Sequence, residues 1–300
     1  METKAWTYEE FPEYTEHVDG ATMVDTTGDE IEVKYLNDVP YETEGGVELH
    51  LQLLVPVTRN GLDGPLPCIA FVKGSAWRKQ KMYVLIPELA RIAQMGYVVA
   101  EVEYRPASDA PFPAQIVDTQ NAIRYLRANA DKLGIDPEKI IVMGNSSGGH
   151  CAVFASFLKA GGSAIPDVPC GVRGVIDLYG AVSLLADDSF PITSDHHTPT
   201  SPEGILMGGA DMRDDMKLRE KGTAACYITP ELEIPPVLVV HGTKDRKCNT
   251  QQSVDLYRKL LACGKDAELY LVRGADHGGA EFYTDYMLGV YDGFIRRCLK

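Results

Sequence analysis

The sequence contains no hydrophobic run long enough to cross a bilayer. A spanning helix needs about 18–20 consecutive apolar residues, and polar or charged residues interrupt every apolar run of this chain before that length. The first six residues, Met1 to Trp6, lack the basic-then-apolar order of a secretory signal peptide. We therefore expect a cytoplasmic protein without a membrane partner, or a mature form from which a signal has been removed.

Positive charge is scarce. The 300 residues include 29 Lys and Arg against 43 Asp and Glu, which gives a formal net charge of −14. Residues 1–30 alone contain nine acidic residues and one lysine. Nucleic acids and anionic lipid surfaces are bound through clustered cations, so this composition excludes both as partners. It favours a small-molecule partner and leaves a homo-oligomer open.

Metal-binding and redox motifs are also lacking. The seven cysteines are scattered without a Cys-x-x-Cys pair, which argues against a zinc ribbon or a dithiol centre and suits a reducing compartment. The run Asp195-His196-His197 could ligate a metal, but it has no third ligand at a suitable spacing. We therefore predict neither a metal nor another cofactor.

What the sequence does contain is an alternation of strand and helix patterns. Eight short β-branched runs bounded by Gly or Pro indicate strands at 31–35, 49–54, 67–72, 97–102, 140–143, 174–179, 236–240 and 268–272. Helical periodicity is found at 84–94, 114–133, 149–158, 251–263 and 281–299. Such alternation predicts a mostly parallel sheet with helices on both faces. The first two strands lack an intervening helix and should pair antiparallel.

No linker-like stretch divides the chain, so we expect residues 1–300 to form one domain without a large cap. One segment, 181–223, is rich in Asp, Ser, Pro and Met and has no long strand signal. Insertions of this length in a compact domain are commonly lids or binding loops. We therefore expect this insert to lie near a functional site.

The motif Gly144-Asn145-Ser146-Ser147-Gly148 has the form Gly-x-Ser-x-Gly. It follows the apolar strand at 140–143 and precedes a helical pattern, which is the strand–turn–helix context of a nucleophile elbow. The central serine of such an elbow has a strained backbone, so the residues two positions away on either side must lack bulk. This pattern predicts Ser146 as a nucleophile.

A nucleophilic serine needs a base, and the base needs an acid that orients it. In this architecture the partners follow in the order Ser, Asp or Glu, His. Of the two late histidines, His277 lies in a loop that can reach the serine, whereas His241 ends a core strand, so we assign His277 as the base. We assign Asp245 as the acid because it lies past the carboxyl end of a strand, and because Asp276, adjacent to His277, would point away from the ring.

Acyl transfer also requires N–H donors directed at the developing oxyanion. The N–H of Ser147 is one candidate, and the loop after the strand at 67–72 supplies Gly74 and Ser75. Small residues there let the backbone approach a ligand. The aromatic Trp77, next along the loop, is predicted to contact the substrate.

Together, the elbow, late Asp and late His resemble the α/β-hydrolase fold over nearly all of residues 31–300. The segments 103–106, 111–115, 144–150 and 235–245 are similar to hormone-sensitive-lipase-like esterases and to bifunctional acetylxylan/feruloyl esterases. That family usually has His-Gly-Gly-Gly and an aromatic residue where this chain has Lys73-Gly74-Ser75-Ala76-Trp77. We expect the aliphatic part of the Lys73 side chain to be half-buried and its ammonium group, the head of the side chain, to be solvated.

The resemblance implies a serine carboxylesterase that hydrolyses short acyl esters through an acyl-enzyme on Ser146, with acetyl or feruloyl groups on carbohydrate among the candidate substrates; we expect a small acyl pocket to favour acetyl to butyryl esters. The alternatives are a peptidase or amidase with the same fold and, from another class, a binding protein that has kept the fold without catalysis. Trp6, Tyr8, Phe11 and Tyr14 form an aromatic stripe in the acidic segment 1–30. We hypothesise that this segment is a lid that, with Trp77 and the insert, walls a small acyl pocket.

Overall fold

The computed structural model describes residues 3–157, 171–185, 191 and 193–300 of the chain. Eight strands form one sheet in the order β1-β2-β4-β3-β5-β6-β7-β8. They are β1 (Glu32–Glu44), β2 (Val47–Val57), β3 (Leu66–Val72), β4 (Val98–Val102), β5 (Ile135–Asn145), β6 (Gly174–Leu178), β7 (Val237–Gly242) and β8 (Ala267–Val272).

The predicted pairing is confirmed. β1 and β2 form an antiparallel hairpin, β2 is antiparallel to β4, and the pairs from β4 through β8 are parallel. The hairpin turn is Gly45-Gly46, both with positive φ, as a two-residue turn between twisted strands requires. β4, β6 and β7 are buried at every position, which explains why their sequences are mostly apolar without alternation; each contains one polar or charged residue, Glu101, Asp177 and His241.

Helices cover both faces of the sheet, as predicted. Their bounds are α1 (Ile86–Ala93), α2 (Ala114–Ala128), α3 (Ala130–Leu133), α4 (Ser147–Ser156), α5 (Pro202–Leu206), α6 (Met216–Lys221), α7 (Gln251–Ala262) and α8 (Asp285–Cys298). The apolar residues of α2, α4 and α7 belong to one core cluster. Those of α1 and α8 belong to a second cluster on the opposite face. In the described residues, only α5, α6 and a short 3₁₀ helix lie between β6 and β7, so no large cap covers the sheet there.

Two predicted helices begin or end differently in the structure. The helix predicted at 114–133 divides at Asn129 into α2 and α3, and Gly134 ends it in the left-handed conformation. The helix predicted at 281–299 starts only at Asp285, because the side chain of Thr284 caps it by accepting a hydrogen bond from the N–H of Met287 (3.3 Å). Residues 280–283 form a separate 3₁₀ turn.

The described contacts of the acidic N-terminal segment lie away from the elbow serine. Residues 3–31 form no helix or strand, and the aromatic side chains of its stripe are 49–67% exposed. The segment contacts the loop after β2, where Asn60 donates to the carbonyl of Thr27 (3.1 Å) and Arg59 stacks on Tyr8. That loop leads into the amino end of β3, whereas the elbow serine lies at the carboxyl end of β5, which runs parallel to β3. The segment therefore contacts the opposite edge of the sheet.

Among the described residues, no helix is both long and apolar enough to cross a membrane.

The parallel strands direct their carboxyl ends toward a single edge. The loop 73–77 follows β3, Ser146 follows β5, Asp245 follows β7, and His277 follows β8. Residues far apart in the chain are thus brought to one place, as is usual for sites in open α/β sheets.

Candidate active site

Ser146 lies on a sharp turn between β5 and α4. Its backbone has φ 54° and ψ −127°, a conformation that L-residues rarely adopt. A Cβ on Gly144 would lie 2.2 Å from the carbonyl oxygen of Gly148, and one on Gly148 would lie 1.9 Å from that of Val72. Both positions therefore exclude a side chain, which accounts for the Gly-x-Ser-x-Gly pattern.

The structure brings together the three side chains predicted as catalytic. Nε2 of His277 is 2.8 Å from Oγ of Ser146, and Nδ1 of His277 is 2.7 Å from Oδ2 of Asp245. With Nδ1 donating to the carboxylate, Nε2 carries the lone pair that can accept the serine proton. This is the hydrogen-bond chain of a Ser-His-Asp triad.

Asp245 is held by four donors. Its Oδ1 accepts the N–H groups of Lys247 and Cys248, both at 2.8 Å, and its Oδ2 accepts from His277 and from His241. Burial by itself disfavours the charged carboxylate, but the hydrogen bonds from His241 and His277 hold the pKa of Asp245 well below its usual range. The acid is therefore ionised at neutral pH.

His241 is a buried partner of that acid and makes no contact with Ser146. Its Nε2 is 3.0 Å from Oδ2 of Asp245 and 3.2 Å from the carbonyl oxygen of Cys248, and its Nδ1 is 2.7 Å from Oγ of Ser253. Since both neighbours of Nε2 are acceptors, Nε2 carries the proton and Nδ1 accepts from the Ser253 hydroxyl. Asp276, our rejected candidate acid, instead forms an exposed ion pair with Arg246.

Two of the three predicted oxyanion donors are hydrogen-bonded to side chains. The N–H of Gly74 donates to the side chain of Asn145 (2.8 Å), and the N–H of Ser75 donates to Oγ of Ser147 (2.9 Å). Both predicted loop donors are thus engaged by side chains of the elbow rather than directed at the reacting atom. The N–H of Ser147 lies in the first turn of α4, where backbone donors lack intrahelical partners.

Lys73 does not have a solvated head, contrary to our expectation. Only 7% of the residue is exposed, and its Nζ donates to the carbonyl oxygen of Gly74 (3.2 Å). Burial lowers the pKa of the ammonium group, while the nearby Glu101 partly opposes this shift. Glu101 lies at the centre of the sheet in β4, fully buried, and burial raises its pKa to about 8.

A cavity of about 270 Å³ contains Ser146 and His277. It is lined on the side of the β3 loop by Ala76 and Trp77. Trp77 is 1% exposed and packs edge-on against His150, with ring centroids 5.2 Å apart, so it forms part of the wall rather than an exposed platform. The remaining lining residues are Ser147, Ala181, Thr193, Ser194, His196, Pro202, Glu203, Lys247 and Cys248.

The described part of the insert 181–223 thus lies at the cavity, as predicted. Its His196 forms an ion pair with Glu203 (2.8 Å) rather than a cluster with Asp195 and His197. Within the described ranges, no group of three or more His, Cys, Asp and Glu side chains could hold a metal ion.

Two residues that support the site were missed by the sequence reasoning. Asn145 accepts from the N–H of Gly74 and donates to the hydroxyl of Tyr179 (2.9 Å), and the ring of Tyr179 packs edge-on against His277 at 5.1 Å. Asn145 thus links the β3 loop to the wall behind His277. A polar side chain directly before the elbow serine was a signal for this role, whereas nothing in the local sequence marks Tyr179.

The chain is similar to known esterases. The chain is 29% identical over 229 residues to Esterase LipC and 28% identical over 261 residues to Esterase LipQ, both of Mycobacterium tuberculosis (strain ATCC 25618 / H37Rv). These alignments cover 71% and 83% of the chain but 53% and 57% of the relatives, so the chain spans about half the length of the curated relatives it matches.

Among solved structures, a truncated form of a carbohydrate esterase from gut microbiota superposes with a TM-score of 0.75 at 25% identity, covering 91% of this chain and 98% of that one. The fold is therefore the α/β-hydrolase fold. The model of the BD-FAE family matches residues 54–260, more than two thirds of the 300 residues. The chain accordingly belongs to the BD-FAE family.

Proposed function

We propose that the protein is a serine carboxylesterase that hydrolyses short acyl esters through an acyl-enzyme on Ser146. The observation that carries the proposal is the unbroken chain of hydrogen bonds from Ser146 through His277 to Asp245, with its nucleophile opening into a cavity. Esterase LipC and Esterase LipQ, to which the chain is similar, support ester hydrolysis rather than peptide cleavage.

In the proposed acylation step, Oγ of Ser146 attacks the ester carbonyl carbon while its proton passes to Nε2 of His277. Asp245 accepts from Nδ1 and stabilises the imidazolium that forms. Collapse of the tetrahedral intermediate breaks the bond to the alcohol oxygen, which takes the proton from Nε2. A water molecule then repeats the sequence on the acyl-enzyme, releasing the carboxylic acid and restoring the serine.

The oxyanion donors we propose are the N–H of Ser147 and the N–H of Ala76. The first begins α4, whose N-terminal dipole end favours negative charge. Ala76 lines the cavity with Ser146 and has φ 55°, a left-handed conformation that turns the loop between Ser75 and Trp77. Gly74 and Ser75 then support the oxyanion donors indirectly, because their N–H groups hold the loop to the elbow.

The substrate we propose is an ester of a small acyl group, acetyl to butyryl, with carbohydrate as a candidate alcohol. The cavity of about 270 Å³ is slightly smaller than the ~300–1,000 Å³ typical of ligand sites. The likeness to a carbohydrate esterase from gut microbiota supports the sugar alcohol. The outer wall of the cavity comes from the insert rather than from the N-terminal segment.

The experiment is a substrate panel assayed on the wild type and on Ser146→Ala. The panel contains p-nitrophenyl acetate, butyrate and octanoate, acetylated xylo-oligosaccharides, methyl ferulate and an aminoacyl p-nitroanilide. We expect turnover to be highest for acetyl to butyryl esters, to fall by octanoyl, and to be lost in Ser146→Ala.

The matched control compares two aspartates beside His277. Asp245→Asn should lose most turnover, whereas Asp276→Asn, which breaks an exposed ion pair with Arg246 but keeps an oxygen that can accept the N–H of His277, should keep most of it. Preferential hydrolysis of the anilide would contradict the esterase proposal in favour of an amidase, and equal activity in Ser146→Ala would exclude Ser146 as the nucleophile.

A further inference from the structure

A second hydrogen-bonded pair of titratable side chains lies at the same cavity as Ser146, and the proposed chemistry does not use it. His196 and Glu203 both line the cavity, with Nδ1 of His196 2.8 Å from Oε1 of Glu203. Both come from the insert 181–223, which is outside the common βα framework of the sheet. Their role must therefore be either to hold the insert together or to contact a ligand.

The carboxylate of Glu203 is placed for a ligand. The residue is only 7% exposed, and its Oε2 is buried without a hydrogen-bond partner in the described part of the chain. A buried carboxylate oxygen without a donor is costly, and native proteins rarely leave one so. Since this side chain lines the cavity, a donor that enters the cavity can satisfy it.

The local backbone holds this carboxylate in place. Oγ of Ser201 accepts from the N–H of Gly204 at the start of α5 (3.0 Å) and donates to the carbonyl of Thr198 (2.7 Å). A Cβ on Gly204 would lie 2.0 Å from that same carbonyl oxygen, so the turn packs without space. The segment that contains Glu203 is therefore ordered by its own contacts and does not need a ligand to hold it.

The neighbouring groups can serve a hydroxyl group of a ligand. The hydrogen bond to Glu203 raises the pKa of His196, against the effect of burial. Oγ of Ser194, 3.2 Å from Nε2 of His196, also lines the cavity. This wall thus offers a carboxylate acceptor and a hydroxyl side by side, a pattern that pairs with hydroxyl groups.

We propose that His196 and Glu203 form a subsite that binds a hydroxyl group of the substrate, with Oε2 of Glu203 accepting the hydroxyl proton and His196 orienting the carboxylate. This inference rests on the proposed esterase function and adds a specificity determinant to it. The hydroxyl can belong to the alcohol part of the ester, as in a polyol, or to a hydroxylated acyl group. The experiment distinguishes these two sources.

The test uses two pairs of esters that differ only in hydroxyl groups. Glycerol 1-monoacetate against propyl acetate examines the alcohol side, and methyl 4-hydroxycinnamate against methyl cinnamate examines the acyl side. The variant is Glu203→Leu, which keeps a side chain of similar size but removes the partner of His196, so a thermal melt of each variant accompanies the assay. Glu203→Gln is the conservative second variant. The control is Asp211→Asn, which breaks an exposed ion pair with Arg213 in the same insert, away from the cavity.

We expect the ratio of kcat/KM for the hydroxylated over the plain ester to fall at least about tenfold in Glu203→Leu, for one of the two pairs. Glu203→Gln should give an intermediate ratio, and Asp211→Asn should leave it unchanged. The pair that responds identifies the source of the hydroxyl.

An equal decrease for all four esters, or no change in either ratio, would show that His196 and Glu203 only hold the insert and would overturn the subsite. Failure of the proposed function gives a different result. If the wild-type protein, like Ser146→Ala, hydrolyses none of the four esters, both the esterase function and the subsite are overturned.

Discussion

Two imidazoles share one carboxylate oxygen in this site, and their removal should have opposite effects on activity and stability. His277 contacts Ser146 and is partly accessible, whereas the fully buried side chain of His241 hydrogen-bonds to Asp245, Cys248 and Ser253. We predict that His277→Ala abolishes turnover with little loss of stability. We predict that His241→Ala keeps substantial turnover but destabilises the protein.

The magnitudes follow from what each change leaves behind. Without His277 no base accepts the proton of Ser146, and loss of a triad member costs about 10⁴-fold or more in kcat. Without His241, Asp245 keeps its two backbone donors and His277, so we expect a loss of no more than about 10²-fold. The buried hydroxyl of Ser253 and one lone pair of Asp245 become unpaired, at about 1–3 kcal/mol each, so the free energy of unfolding should fall by about 2–6 kcal/mol.

The pH dependence has a definite sign. The folded-state pKa of Asp245 lies below its ordinary value, so its ionisation stabilises the fold above the unfolded pKa of about 3.9, and this stabilisation is lost as the pH falls through the folded pKa. Removing the hydrogen bond from His241 raises that folded pKa. The acid limb of the stability curve should therefore move to higher pH in His241→Ala.

The assay is kcat for p-nitrophenyl acetate together with urea denaturation between pH 3 and pH 8, for the wild type, His277→Ala, His241→Ala and His241→Gln. The glutamine variant can still donate to Asp245 and should recover part of the stability. Our reasoning would be refuted if His241→Ala or His241→Gln were folded yet as inactive as Ser146→Ala while His277→Ala kept wild-type turnover. That outcome would make His241 the base.

Two further predictions concern the sheet beside the site. Gly148→Ala should abolish activity and destabilise the protein by several kcal/mol, because the new Cβ would lie 1.9 Å from the carbonyl oxygen of Val72. Gly289→Ala in α8 is the control; its Cβ would have nothing within 4 Å, so it should be neutral or stabilising by up to about 1 kcal/mol. Equal melting temperatures for the two variants would contradict this prediction. Burial raises the pKa of Glu101 to about 8, so the stability that protonated Glu101 contributes at pH 4 should be lost as the pH rises toward 8. Glu101→Gln should therefore stabilise the protein by about 2 kcal/mol or more at pH 9 but much less at pH 5. Denaturant titrations at both pH values measure this difference, and a pH-independent effect would contradict it.

The sequence by itself determined the sheet, the elbow and the three side chains that meet there. All eight strands were predicted within a few residues, except that β1, β2 and β5 are longer, because apolar runs and Gly or Pro boundaries are local signals. The elbow is also local, since Gly144 and Gly148 must lack side chains for reasons within a few residues of Ser146. The order of Asp245 and His277 after Ser146 then followed from the topology of parallel strands.

Only the tertiary structure decided what surrounds those three side chains. The aromatic stripe of residues 6–14 indicates amphipathic character but not a partner, and the structure places the segment on the far edge of the sheet beside Arg59. The engagement of Ser75 by Ser147, the burial of Lys73 and the pairing of His196 with Glu203 at the cavity each depend on which loops meet at the carboxyl edge. Sequence periodicity reports the environment of one segment, whereas these contacts are set by the packing of several segments against one another.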